Sequence, residues 1–146
     1  MPPQMGKMTN LQTLSDFILS ENGDFRIKEL GELQYLHGSL CMSGPENVKD
    51  VGDVLESNFK DKKYLTELIL IWKGEADDST KERDVLDAFR SHVNLKRLEI
   101  VGYRGTILPN YPSYCNLAEV CLTGLANCCL LPSFKRLGFT QRALYW

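Results

Sequence analysis

The sequence has no run of about 18 apolar residues, which a membrane-spanning helix would need. Its opening residues, MPPQMGKMTN, lack the apolar stretch of a signal peptide. With 146 residues, of which 43% are hydrophobic, the chain is suited to one domain with a core of its own. We therefore expect a cytoplasmic protein that has no membrane partner.

The five cysteines are an odd number without a C-x-x-C pair, and only two histidines could join them as ligands. A disulfide framework or a metal site is accordingly not expected. The acidic stretch at residues 73–80 does not match the D-x-[DN]-x-[DN]-G pattern of a calcium loop. The net charge is −2 and the basic residues are scattered, so no nucleic-acid partner is expected either.

Signals of catalysis are also missing. The sequence contains no G-x-S-x-G or H-E-x-x-H motif. A nucleophilic pair would have to combine Cys115 with His37 or His92, which are scattered along the chain. No G-x-x-x-x-G-K-[ST] phosphate loop is present. We expect neither an enzyme nor a bound cofactor.

A repeated hydrophobic pattern is what the sequence does contain. The stretches at residues 65–70, 95–100 and 117–122 read L-x-x-[LV]-x-[LI], and residues 36–42 resemble them. Equivalent inward positions, listed in chain order, are separated by 28, 30 and 22 residues: Leu40, Leu68, Leu98 and Val120. This spacing predicts an α/β leucine-rich-repeat solenoid, a partial horseshoe with parallel strands on its concave face and helices and irregular chain on its convex face.

The segments between the predicted strands give the convex side. Residues 48–63 and 81–92 have apolar residues at helical spacing, and Ser79 or Thr80 would cap the second helix. Residues 102–116 contain two prolines and should cross as irregular chain. We expect a leucine-rich-repeat region at residues 1–132, incomplete and uncapped, followed by a divergent tail at residues 133–146.

Several motifs in this order resemble the leucine-rich-repeat region of plant disease-resistance proteins, the intracellular nucleotide-binding immune receptors with an N-terminal coiled coil. The opening P-x-x-M-G-K-M-T-N-L-Q-T-L is one of them. The other matching stretches are residues 26–33, 37–40, 46–48, 58–63, 65–68, 71–72, 94–98, 102–106 and 127–128. The resemblance implies a fragment that contributes to pathogen sensing and autoinhibition in the defence response, without catalytic residues.

The concave face is the usual binding surface of such a solenoid. The candidate partner-binding residues, which would lie between the inward positions, are Glu67, Ile69, Ile71, Trp72, Arg97, Glu99, Val101 and Cys121. We expect Ile69, Ile71 and Trp72 to form the most adhesive patch, with Arg97 beside Trp72. Alternatively, these three side chains are packing residues covered by residues 73–80 or by a neighbouring repeat.

The resemblance implies a protein partner: a pathogen effector, a guarded host protein, or the nucleotide-binding domain of the receptor itself. Another function remains open on the sequence alone. The chain would then be a free-standing truncated leucine-rich-repeat adaptor that binds a partner without a nucleotide switch. The sequence upstream of Met1 would discriminate the two.

Overall fold

The computed structural model describes residues 11–22, 26–74, 79–89, 95–108, 117–125 and 142–144. It contains a six-stranded parallel sheet in which every strand pairs with the next one along the chain. The strands are β1 (Asp16–Ile18), β2 (Gly38–Ser43), β3 (Leu65–Ile71), β4 (Arg97–Val101), β5 (Glu119–Thr123) and β6 (Arg142–Leu144). Sequential parallel pairing is the topology of a solenoid, and it confirms the predicted fold class.

The residues that the repeat spacing makes equivalent are also the residues that lie opposite each other in the sheet. Leu40 lies opposite Leu68, Leu68 opposite Leu98, and Leu98 opposite Val120. The two inward positions of β2, β3, β4 and β5 are buried because successive strand residues point to opposite faces of the sheet. Leucines and other apolar residues stacked in this way form one continuous core, which no single repeat could enclose alone.

The first strand, β1, precedes the four stretches that the repeat pattern identified. Phe17 lies opposite Met42, the second inward residue of β2, and both Phe17 and Leu19 are buried. Phenylalanine in place of leucine hid this repeat from the sequence analysis. Residues 1–10, which carry most of the opening motif, lie outside the described part of the chain.

The first convex helix is much shorter than the predicted 48–63. Helix α1 spans Val51–Glu56, and the Asp50 side chain caps it by accepting a hydrogen bond from the Gly52 amide at 2.8 Å. Asn58 then takes a left-handed conformation with φ of 54°, which ends the helix before a 3-10 turn at Phe59–Asp61. Helical spacing alone also placed Leu55 in the core, whereas its side chain is 61% exposed.

The second convex helix, α2, spans Ser79–Ala88. Val85, Leu86 and Phe89 are buried as predicted, and the Phe89 ring meets Phe59 edge-on with centroids 4.9 Å apart. Ser79 and Thr80 are already helical, so the prediction that one of them caps the helix from outside is wrong. A further 3-10 helix, Ile27–Glu32, lies behind β2 and contacts α1.

The third connection has no helix between residues 102 and 108, and residues 109–116 are not described. The predicted boundary at residue 132 also lies outside the described ranges, although β6 near the C-terminus extends the sheet beyond it. Among the helices that the structure describes, none is long and apolar enough to cross a membrane.

Candidate functional site on the concave face

The outward side chains of the strands form three rows that run across the sheet on its concave face. The first row, which we call the acidic row, contains Ser39, Glu67, Arg97 and Glu119, which are paired in register. On β1 to β5, the middle row contains Asp16, Cys41, Ile69, Glu99 and Cys121. The aliphatic row, at the carboxyl ends of the same strands, contains Ile18, Ser43, Ile71, Val101 and Thr123. On β6, Arg142 lies in register with the middle row, opposite Cys121, and Leu144 with the aliphatic row, opposite Thr123.

The backbone fixes the distances on this face. Neighbours within a row are about 4.8 Å apart, and successive rows are about 6.6 Å apart because they differ by two residues along each strand. Seven of the eight candidate residues lie in these rows: Glu67, Ile69, Ile71, Arg97, Glu99, Val101 and Cys121. The structure therefore brings most of the predicted site together on one surface.

Arg97 is the centre of the charged part of the face. Its guanidinium forms an ion pair with Glu67, and it also reaches Glu99 at 3.2 Å and Glu119 at 3.3 Å. Partial burial lowers the pKa of Arg97, but the hydrogen bond that Arg97 donates to Glu67 and the charges of the three carboxylates outweigh it and raise the pKa above its ordinary value. Arg97 is thus a permanent cation held in place by its own sheet.

Three carboxylates around one guanidinium leave an excess of negative charge. Asp16, in the middle row of the edge strand β1, adds a fourth carboxylate to the same face. On β1 to β5, Arg97 is the only cation in the three rows, and Arg142 of β6 lies in register with the middle row. Four carboxylates against these two cations leave the described face with an excess of negative charge. Of the three carboxylates around Arg97, Glu119 is the most exposed, at 51% of its side chain.

The aliphatic row supplies the apolar contact area. Ile18 is 50% exposed, and Ile71 and Val101 are half-buried. Burial of aliphatic surface contributes roughly 25 cal/mol per Å² to binding before the costs of association are subtracted. This row lies beside the carboxylates, so a partner would meet apolar and anionic groups together.

The thiols of the face are not prepared for nucleophilic attack. Cys41 and Cys121 are free and half-buried. Burial raises the pKa of the Cys41 thiol, and the neighbouring Asp16 carboxylate raises it further. A thiol with a raised pKa remains protonated near neutral pH and is a poor nucleophile.

Trp72 is not part of this surface, and its predicted role as an outward anchor is wrong. Its side chain is only 4% exposed. The indole N–H donates to the buried carboxylate of Glu82 on α2, and the ring packs edge-on against Tyr103 with centroids 5.3 Å apart. Trp72 is thus a packing residue, as the alternative interpretation proposed. The neighbours of Arg97 are the carboxylates of Glu67, Glu99 and Glu119, and not Trp72 as expected.

Among the described residues, no group of three or more histidine, cysteine, aspartate or glutamate side chains could hold a metal ion. His37 is exposed beside the start of β2, while His92, Cys115, Cys128 and Cys129 lie outside the described ranges.

Two residues of the face were missed by the sequence analysis, Asp16 and Ile18. Both belong to β1 and flank Phe17, and accepting phenylalanine in place of an inward leucine would have placed them on the outward face. They extend the acidic and aliphatic character of the face to the edge of the described sheet.

Comparison with known proteins agrees with this architecture. The family described as R13L1/DRL21 LRRs matches residues 27–142. The chain belongs to this leucine-rich-repeat family. The match runs through β2, β3, β4 and β5 and ends within β6, whereas β1 precedes it.

Its relatives include plant disease resistance proteins. Disease resistance protein RGA2 of Solanum bulbocastanum is 34% identical over 147 residues, which cover 97% of this chain and 15% of the relative. RGA1 of the same species is 34% identical over 93% of this chain and 14% of its own length. RPP13-like protein 1 of Arabidopsis thaliana is 32% identical over 83% of this chain and 13% of its own length. The chain thus spans about one seventh of these relatives, and no solved structure matches it significantly.

Proposed function

We propose that this chain is a protein-recognition module of a plant disease-resistance receptor. In this role it contributes to pathogen sensing and to keeping the receptor inactive until a pathogen is sensed. The observation that carries the proposal is the concave face, whose acidic, middle and aliphatic rows lie on a chain of the R13L1/DRL21 family.

The face has the properties of a recognition surface. Its side chains stand on paired strands, so their positions are fixed before a partner arrives and little ordering entropy is lost on binding. Aliphatic and charged groups alternate across a few ångströms, which supports both affinity and selectivity. Leucine-rich repeats are in general interaction modules, so we assign binding and no reaction to the chain.

The partner that we propose is a protein in the cytoplasm. A pathogen effector or a guarded host protein bound to this face would serve pathogen sensing. The receptor's own nucleotide-binding domain bound here would serve autoinhibition. A partner of either kind would contact Ile69, Ile71 and Val101 together with Glu99, since all four lie on adjacent strands.

Site-directed photo-cross-linking tests the proposal. A photoreactive amino acid replaces Val101 on the concave face, and a matched variant carries it at Leu55, which is exposed on the convex helix α1. Both are expressed in leaf tissue with and without pathogen challenge, and the cross-linked proteins are identified by mass spectrometry. We expect a discrete protein cross-linked from position 101 and not from position 55.

A second variant makes the result specific. Ile71→Glu places a carboxylate in the aliphatic row and should abolish the cross-link from position 101, whereas Leu55→Glu should leave it unchanged. Equal cross-linking from both positions, or none from position 101 under either condition, would contradict the proposal.

A further inference from the structure

We propose that the concave face recognises an extended, basic segment of its protein partner, in which lysine or arginine residues alternate with aliphatic ones. This inference rests on the proposed recognition function and adds the chemistry of the partner. It is carried by the charge excess of the face and by the distance between the carboxylates and the aliphatic row.

The negative charge of the face determines that the bound segment should be positively charged. Glu67, Glu99 and Glu119 share one guanidinium, and Asp16 adds a fourth carboxylate to the face. Even with Arg142 of β6, which lies opposite Cys121, the rows hold four carboxylates against two cations. A cation that approaches Glu119 from solvent gains a new ion pair without having to displace Arg97, because half of the Glu119 side chain is exposed. An acidic segment or a nucleic-acid phosphate would meet repulsion on the same face.

The distance between the carboxylates and the aliphatic row determines which side chains the bound segment should carry. The aliphatic row lies one row from Glu99 and two rows from Glu67 and Glu119, at about 6.6 Å per row. A lysine or arginine side chain can lay its methylene stem over Ile71 and Val101 while its charged end reaches Glu99. The same residue thus uses both the apolar and the anionic parts of the face.

The rows also favour an extended segment. They cross the five strands from β1 to β5, a distance of about 20 Å, and roughly six residues of extended chain cover it. Successive side chains of an extended segment point to opposite sides, so lysine or arginine side chains would lie toward the carboxylates and the alternating aliphatic side chains toward the aliphatic row. A segment that lies along the boundary between the middle and aliphatic rows meets carboxylates on one side and Ile18, Ile71 and Val101 on the other.

Binding of three short synthetic peptides to the 146-residue chain tests the inference. One fluorescein-labelled peptide alternates lysine with valine, the second alternates glutamate with valine, and the third alternates lysine with serine. Fluorescence anisotropy at low salt gives the Kd of each. We expect the lysine and valine peptide to bind at least about tenfold more tightly than the other two, and its affinity to fall as salt screens the carboxylates.

Charge reversal locates the binding. Asp16→Lys combined with Glu119→Lys should weaken the lysine and valine peptide by about tenfold or more. The matched control, Glu21→Lys with Glu56→Lys, makes the same change in net charge at exposed carboxylates outside the strands and should leave the Kd within about twofold. Circular dichroism melting establishes that both variants fold, and Glu119→Gln replaces the double reversal if the latter does not.

Each result supports or overturns the inference. Equal binding of the glutamate and valine peptide, equal binding of the lysine and serine peptide, or no binding of any peptide overturns it. So does an equal loss in the control variant, because the attraction would then come from net charge alone. If the cross-link from position 101 leads to an acidic partner segment, the inference fails while the proposed function stands; if position 101 has no cross-linked partner, the proposed function itself fails.

Discussion

Ile71 and Trp72 are consecutive, both are large and apolar, and the structure gives them opposite surroundings. Ile71 is half-buried in the aliphatic row of the concave face, whereas Trp72 is buried against Tyr103 and Glu82. The one-residue step between them crosses from the concave face to the core. Hydrophobicity alone therefore does not distinguish a residue of the concave face from a core residue here, whereas the position of the residue relative to the end of the strand does.

Trp72 belongs to a row of corner residues at which the chain leaves the sheet. We define this corner row as Leu19, Gly44, Trp72, Gly102 and Gly124, each two residues after the last inward residue of its strand. The backbone ladder continues through it, since the amides of Leu19, Gly44, Trp72 and Gly102 donate to carbonyls of the following repeat. Three of the five corner residues are glycines. Trp72, by contrast, contacts α2 through its hydrogen bond to Glu82. Corner substitutions should thus affect stability, and substitutions on the concave face should mainly affect binding.

The largest effect should come from Trp72→Ala. Truncating this buried ring removes the contact with Tyr103 and the hydrogen bond to Glu82, and we expect it to lower the free energy of unfolding by about 3–5 kcal/mol. Urea denaturation measures the loss. The adjacent control, Ile71→Ala, should cost about 1 kcal/mol because its side chain is half-exposed. Equal losses for the two variants would contradict the distinction between corner and face.

Gly102→Ala should have the next largest effect, about 2 kcal/mol or more. Its φ of 71° is unfavourable for alanine, and an added Cβ would lie 2.7 Å from the Trp72 carbonyl oxygen. Gly38→Ala is the matched control, because its φ of 79° imposes the same backbone cost while no atom lies within 4 Å of the added Cβ. Thermal melting should show a larger decrease of Tm for Gly102→Ala. A similar decrease for both would mean that the close approach at the corner contributes nothing.

Lys62→Met should change the pH dependence of stability. Lys62 is buried on the convex side, where its Nζ donates to the Leu30 carbonyl and, at 3.3 Å, to the Leu33 carbonyl. Burial lowers the pKa of Lys62 to about 8, although Asp61 and Glu32 act in the opposite direction.

Because this pKa is lower in the folded state than in the unfolded one, the unfolded chain binds more protons between pH 8 and 10.5. Stability contributed by Lys62 should therefore rise with pH across that window, by up to about 1.4 kcal/mol per pH unit, and be constant below it. The difference in urea midpoint between the native chain and Lys62→Met measures this slope. A difference that does not vary with pH would show that Lys62 keeps an ordinary pKa.

The smallest effect on stability should come from the concave face itself. Glu119→Gln removes one exposed ion pair of Arg97, and we expect a change below about 0.5 kcal/mol that disappears at high salt. Asp84→Asn, which breaks the exposed Arg83 pair on α2, is the control and should cost equally little. Only Glu119→Gln should also weaken the binding of the lysine and valine peptide. A large loss of stability in Glu119→Gln would mean that the carboxylates of the face mainly stabilise the fold and do not mainly bind a partner.

The strands and their register could be predicted because the signal is local and repeated. Leu68, Leu98 and Val120 recur at spacings that become strand partners, and the same period places Glu67, Arg97 and Glu99 on the open face. The convex side could not be predicted as well. Asn58 ends α1 by a left-handed turn, and Leu55 faces solvent although its spacing is that of a core residue. Those outcomes depend on what packs behind each repeat, and the periodicity does not contain that information.

The sequence by itself determined the repeat, the parallel sheet and seven of the eight residues proposed for the concave face, because alternation along a strand dictates which side chains share a surface. Only the tertiary structure decided that Trp72 is buried. The polypeptide bends at the corner row, and α2 supplies both the apolar contact and the Glu82 carboxylate that a buried indole requires. Likewise, only the packing of neighbouring strands gathers Glu67, Glu99 and Glu119 around Arg97, which gives the face its acidic character.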